Sequence, residues 1–141
     1  MTEDVVKHLE LIQGVVTRMA ANSFLLKGWT VTLTAALFAL AAKDSNATFA
    51  LIALLPALSF WGLDAYYLRQ ERLFRKLYDE LRLASAETLR TVEPFSMSTK
   101  EYAEKVPSWF QTLWAHSILA IHGVVVLAVV AAAIIIRFWT R

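Results

Sequence analysis

Val5, Leu9, Ile12, Val16 and Met19 recur at alternating steps of four and three, which lays one apolar seam along a helix, with Lys7, Glu10 and Arg18 off it. Thr2 is placed to cap that helix, and Glu3 and Asp4 suit its positive end. The pattern predicts a helix of about five turns within residues 1–22, too polar to span a bilayer and suited to a partner helix or a membrane surface. From Phe24 the pattern changes. Residues 24–42 carry one charge, Lys27, and come close to the ~20 apolar residues that cross a hydrocarbon core. A polar turn at 43–48 leads to a second apolar stretch, 49–67, which contains Pro56 and ends just after Asp64. The two stretches predict a transmembrane hairpin, with a kink where Pro56 removes a helical hydrogen bond.

Beyond Leu68 the periodicity becomes that of a soluble helix. Phe74, Leu77, Tyr78, Leu81 and Ala84 form a stripe, while Glu71/Arg75, Arg75/Asp79 and Lys76/Glu80 are opposite charges four apart. Nothing between Tyr66 and Glu80 breaks a helix, so the second span is expected to run on into the cytosol. Two prolines, Pro94 and Pro107, bound a connecting loop with one short helix near 98–105. The third apolar run, 115–136, is flanked by Trp109, Phe110 and Trp114 on one side and by Phe138 and Trp139 on the other, the aromatic belts of a membrane span.

The fold class is therefore an all-α integral membrane protein: an amphipathic N-terminal helix, three transmembrane helices, and a second span extended into a cytosolic helix. It reads as one membrane domain over 1–141, with 68–114 as its cytosolic helix and loop. A hydrophobic content of 57% moves the chain out of the soluble class. The absence of cysteine excludes a disulfide framework, a thiolate metal site and a cysteine nucleophile. The acidic start, "MTEDVVKHLE", is not a secretory signal, so the first residues are expected to be kept.

Net charge is only +2, too small to argue for sequence-specific nucleic-acid binding. Its distribution says more. Residues 1–27 hold three basic side chains and 69–114 hold eight, against Lys43, Arg137 and Arg141 on the other side of the spans. By the positive-inside rule the N-terminus and the middle segment face the cytoplasm of a bacterial inner (plasma) membrane.

Lys27 and Asp64 lie equally far from the centre of the hairpin turn, and so at one depth near the cytoplasmic edge. A charge within a span pairs, snorkels or faces water. Two readings stand: a structural ion pair, or a charged ring at the mouth of a pathway. Ser23, Lys27, Thr30 and Thr34 share one helix face, which serves either helix–helix contact or a wet lumen between copies, with Leu37 or Phe38 as its constriction. His116 and His122 are about 240° apart around the helix and make a poor metal pair. Each reads as an interhelical or interfacial hydrogen-bonding group, or as a pH-sensitive gate. Arg69, Arg72, Arg75 and Lys76, with Trp109, Trp114 and Trp139, read as anchors to lipid headgroups and interfaces. There is no Ser/His/Asp grouping and no His-Glu metal motif. The chain is not expected to be an enzyme, nor to hold a cofactor or a metal.

The stretches "HLELIQGVVTRMAANSFLLKGWTVTLTAALFALAAKD" (8–44) and "FWGLDAYYLRQERLFRKLYDELR" (60–82) resemble a widespread family of small bacterial multi-spanning membrane proteins. In build the chain is similar to transmembrane effectors of anti-phage defence systems, Hailong-like or cyclic-oligonucleotide-linked. That resemblance implies a homo-oligomeric channel, held closed by a soluble partner or a nucleotide or oligonucleotide signal and opened on infection to depolarise the inner membrane. Such effectors often carry a ligand-binding domain, and this chain has none of recognisable size.

The expected function is accordingly a homo-oligomeric membrane pore lined by Ser23, Lys27, Thr30, Thr34 and Asp64. Leu9, Ile12, Val16, Phe74, Leu77 and Leu81 would form its assembly or gating layer. The alternative is a non-conducting membrane anchor that presents its cytosolic helices to a soluble partner.

Overall fold

A computed structural model describes residues 2–44, 47–89 and 93–139 of the chain. Its described residues are mostly helical, and three of the helices are long and apolar enough to cross a membrane. Ser45 and Asn46, the centre of the expected hairpin turn, lie outside the described residues.

The first helix, α1 (Glu3–Asp44), merges the amphipathic seam and the first apolar stretch into one element. The change in composition at Asn22 and Ser23 is not a break, because no proline interrupts 3–44 and the backbone hydrogen bonds simply continue. At 42 residues α1 is about 63 Å long, twice the thickness of a hydrocarbon core, so half of it projects beyond any apolar layer it crosses.

The second apolar stretch forms α2 (Ala47–Ile52) and α3 (Leu54–Leu83), interrupted at Ala53. Pro56 accounts for the interruption: it has no N–H for the carbonyl of Ile52, and its ring crowds that carbonyl. From Leu54 the helix runs unbroken past Asp64 into the charged segment, as the periodicity predicts. A four-residue helix, α4 (Ala86–Leu89), begins where the Ser85 hydroxyl accepts from the Thr88 N–H. A single 3-10 turn comes next at Lys100–Tyr102, where a short helix is expected. The helix after it, α5 (Trp109–Leu113), starts on a capping box, Ser108 with Gln111. The last span is α6 (His116–Ile118), one turn of π-helix over Leu119–Gly123, and α7 (Val124–Trp139).

Two packed regions hold these elements together. At one end the seams of α1 and α3 bury each other: Leu9, Ile12 and Val16 meet Leu73, Leu77 and Leu81, with Tyr102 and Val106 from the connecting loop. Each such leucine or isoleucine removed from water stabilises the pair by about 1.5–3 kcal/mol. At the other end the contact is made of small residues, Ala41, Ala50 and Ala133, flanked by Phe38, Phe49 and Ile136, which lets the backbones approach closely. Between them the outer faces are apolar and open. Phe24, Trp29, Leu55, Leu63, Leu127 and Ile135 are all exposed. Such a surface is the expected outside of a bundle solvated by lipid.

Candidate functional site

The polar groups of three helices converge inside this apolar bundle. On α1, Ser23, Lys27, Thr30 and Thr34 succeed one another at steps of four, three and four, so helical geometry puts them on one face. That face turns inward, and Ser23, Thr30 and Thr34 are buried. Opposite them α3 presents Asp64, which has no exposed surface at all. The third helix contributes His122 from within its π-turn, also fully buried.

Asp64 is the hub. Its Oδ1 accepts from the Ser23 hydroxyl. Its Oδ2 accepts from Lys27 Nζ at 2.6 Å and from His122 Nε2 at 2.9 Å. Lys27 Nζ also donates to Ser23 Oγ at 2.8 Å, which closes a small ring of charge-assisted hydrogen bonds. An ionised carboxylate only accepts, so the hydrogen between Asp64 and His122 belongs to the imidazole Nε2. The other ring nitrogen, Nδ1, faces Thr30 Oγ1 at 3.5 Å. The Thr30 hydroxyl also lies 2.8 Å from the Leu26 carbonyl, to which it donates.

The π-turn places the histidine. Widening one turn of the helix admits one extra residue and rotates the rest of the helix beyond it, a device common at functional sites. Trp61, one turn before Asp64 on α3, stacks on the imidazole with ring centroids 6.4 Å apart and planes 13° from parallel. Trp61 is fixed in turn by donating to the Leu113 carbonyl at 3.0 Å. Trp109 anchors α5 against α3 in the same way, donating to the Gly62 carbonyl at 3.0 Å.

Thr34 is the exception. It is buried, yet its hydroxyl has no hydrogen-bond partner among the described residues. An orphaned hydroxyl one turn beyond a satisfied network costs about 1–3 kcal/mol, and such groups call for an explanation.

Of the residues expected to line a lumen, Ser23, Lys27, Thr30 and Asp64 thus meet within a single chain, while Thr34 sits alongside. The residues expected to form an assembly layer, Leu9, Ile12, Val16, Leu77 and Leu81, are buried against each other, with Phe74 partly covered. Four basic residues read as lipid anchors divide. The Arg69 guanidinium donates to the carbonyls of Pro107 and Ala103 at 3.2 Å each, and Arg75 pairs with Glu71 at 2.8 Å. Arg72 and Lys76 make no ion pair among the described residues. Trp109 and Trp114 are exposed, as an interfacial role requires. Trp139 closes α7, but its side chain lies outside the described residues.

His122 was open to either an interhelical or a gating role from the sequence, with nothing to join it to Asp64. Counted from Ala115 it lies deeper than Asp64 does from Tyr67, and a π-turn leaves no signature in the apolar periodicity. The usable signal was its isolation: a titratable side chain in the middle of an apolar run needs a polar partner. No group of three or more metal-ligating side chains occurs among the described residues. Comparisons with family models, with curated proteins and with solved structures each give no match.

Proposed function

We propose that the protein is a membrane-embedded protomer of a homo-oligomeric pore, an ion-channel-type effector of the bacterial inner membrane that depolarises it, as in anti-phage defence. The N-terminal half of α1, the distal part of α3 and the connecting loop lie in the cytoplasm. The bundle with Asp64 held by Ser23, Lys27 and His122 is the closed protomer.

One observation carries this reading: a lysine, an aspartate, a histidine and three hydroxyl residues are gathered inside apolar, span-length helices whose outer surface is open hydrocarbon. Ionisable groups at such depth are expensive, and their usual use is to handle ions or protons. A purely structural lock would be fully satisfied, whereas Thr34 is left without a partner on the same face. Opening then separates α1 from Asp64 and His122 and turns Lys27, Thr30 and Thr34 toward a lumen shared between copies. A non-conducting adaptor would meet its partner through the α3 stripe, of which Leu77 and Leu81 are buried with the α1 seam and Phe74 and Tyr78 partly buried beside it.

The test is ion flux from proteoliposomes. The wild type gives a low, protein-dependent flux. Asp64→Asn, which weakens the hub while keeping its shape, raises that flux. No flux from either protein, both demonstrably folded and oligomeric, would refute the reading.

A further inference from the structure

We infer that a basic groove on the cytoplasmic end of α3 binds the phosphate of an anionic phospholipid headgroup. The groove is open, about 290 Å³, with a mostly apolar floor that includes Val106 and Pro107 and with Arg72, Arg75, Lys76, Asp79 and Lys105 around it. This inference rests on the membrane placement of the spans and is independent of conduction.

The groove is built in advance. Its loop wall is tied to α3 by the two hydrogen bonds from Arg69 to Ala103 and Pro107, and by Lys105 Nζ on Glu80 at 2.6 Å. Lys105 also lies over the Tyr102 ring, 5.0 Å from its centroid. Val106, beside Pro107, is buried in the α1–α3 core, so the loop cannot swing away without uncovering apolar surface.

Charge selects the ligand. Four cations line the groove against one carboxylate, Asp79, which sits 3.6 Å from Arg82. Arg75 and Lys105 are partly neutralised by Glu71 and Glu80. Arg72 and Lys76, one turn apart, are the cations with no ion pair among the described residues. A guanidinium and an ammonium at that spacing suit a phosphate: Arg offers a planar fork and Lys a point charge.

Depth selects the source of the phosphate. The exposed aromatic residues Trp109, Phe110 and Trp114 mark the interface, and Trp109 is tied to α3 at Gly62. Arg72 and Lys76 lie five and nine residues beyond Tyr67, the end of the apolar stretch, or about 7.5 and 13.5 Å of helix, so Arg72 sits at headgroup depth and Lys76 one turn outside it, where its long side chain reaches back. Helical side chains lean toward the N-terminus of their helix, and the N-terminal end of α3 is the membrane end. The α3 cations of the groove, Arg72, Arg75 and Lys76, therefore lean toward the bilayer.

The experiment is native mass spectrometry of the full-length protein in detergent, titrated separately with phosphatidylglycerol, phosphatidylcholine and inorganic phosphate. The wild type retains phosphatidylglycerol over phosphatidylcholine. At about fivefold in affinity per interfacial cation, the double variant Arg72→Gln/Lys76→Gln binds phosphatidylglycerol roughly thirtyfold more weakly. Lys100→Gln, outside the groove, and the charge-conserving Arg72→Lys/Lys76→Arg both retain the lipid, which separates loss of charge from loss of fold. Equal retention of the two lipids would overturn the inference, as would unchanged binding in the double variant. Inorganic phosphate displacing phosphatidylglycerol at comparable concentration would overturn the lipid as the source.

Discussion

Asp64 concentrates the energetics of the site in one side chain. It is buried without any exposed surface and is held by donors from α1 and from the π-turn before α7. Removing its lysine leaves a buried carboxylate with only Ser23 and His122 as donors, so Lys27→Met should cost about 3–5 kcal/mol of stability, read as thermal unfolding in detergent. The double variant Lys27→Met/Asp64→Leu should recover part of that loss, because no charge is then left unpaired. A double variant as unstable as the sum of its parts would show that the pair is not coupled. Thr34→Val should go the other way and stabilise by about 1 kcal/mol, since it deletes an unsatisfied hydroxyl at nearly constant shape. The Lys27–Asp64 pairing was legible in the sequence, because antiparallel geometry makes equal distances from the turn into equal depth. His122 was legible only as a polar intrusion, since its partner depends on a local widening of the helix and on the position of Trp61.

At the scale of elements, the two amphipathic seams find each other rather than an outside partner. Ile12→Ala or Leu77→Ala removes buried side chain from the α1–α3 core and should cost about 2–5 kcal/mol, in the same unfolding assay. The connecting loop is tied more lightly. The Lys105 ammonium, hydrogen-bonded to Glu80, holds that carboxyl below its ordinary value of 4.5. A depressed carboxylate stabilises the fold above the unfolded value and loses that contribution as pH falls through the folded one. Both side chains are about half exposed, so the effect should be small and salt-sensitive. Glu80→Gln should lower stability slightly at neutral pH and match wild type in acid. The periodicity made each seam and the end of each span visible. It did not show that 1–22 and 24–42 are one helix, because a change in composition resembles a boundary when only a backbone break would make one.

For the whole molecule, the proposed topology puts each connection on a definite side. The chain contains no cysteine, so single cysteines can report that topology without background. Thr2→Cys and Ser98→Cys should react with a membrane-impermeant maleimide only from the cytoplasmic side, and Lys43→Cys only from the opposite side. Labelling of Lys43→Cys together with Ser98→Cys from one side would break the hairpin. Three apolar helices and the extension of the second were readable from the chain because length and hydrophobicity are additive along it. Which polar face turns inward was not, since that depends on contacts between distant segments. The most direct test of the proposed pore is single-channel recording of the purified protein in a planar bilayer, wild type beside Lys27→Met. A pore of this design gives discrete current steps in the wild type, and in the variant more frequent opening with altered conductance or selectivity. Silence from both folded oligomers, or identical currents from the two, would contradict it.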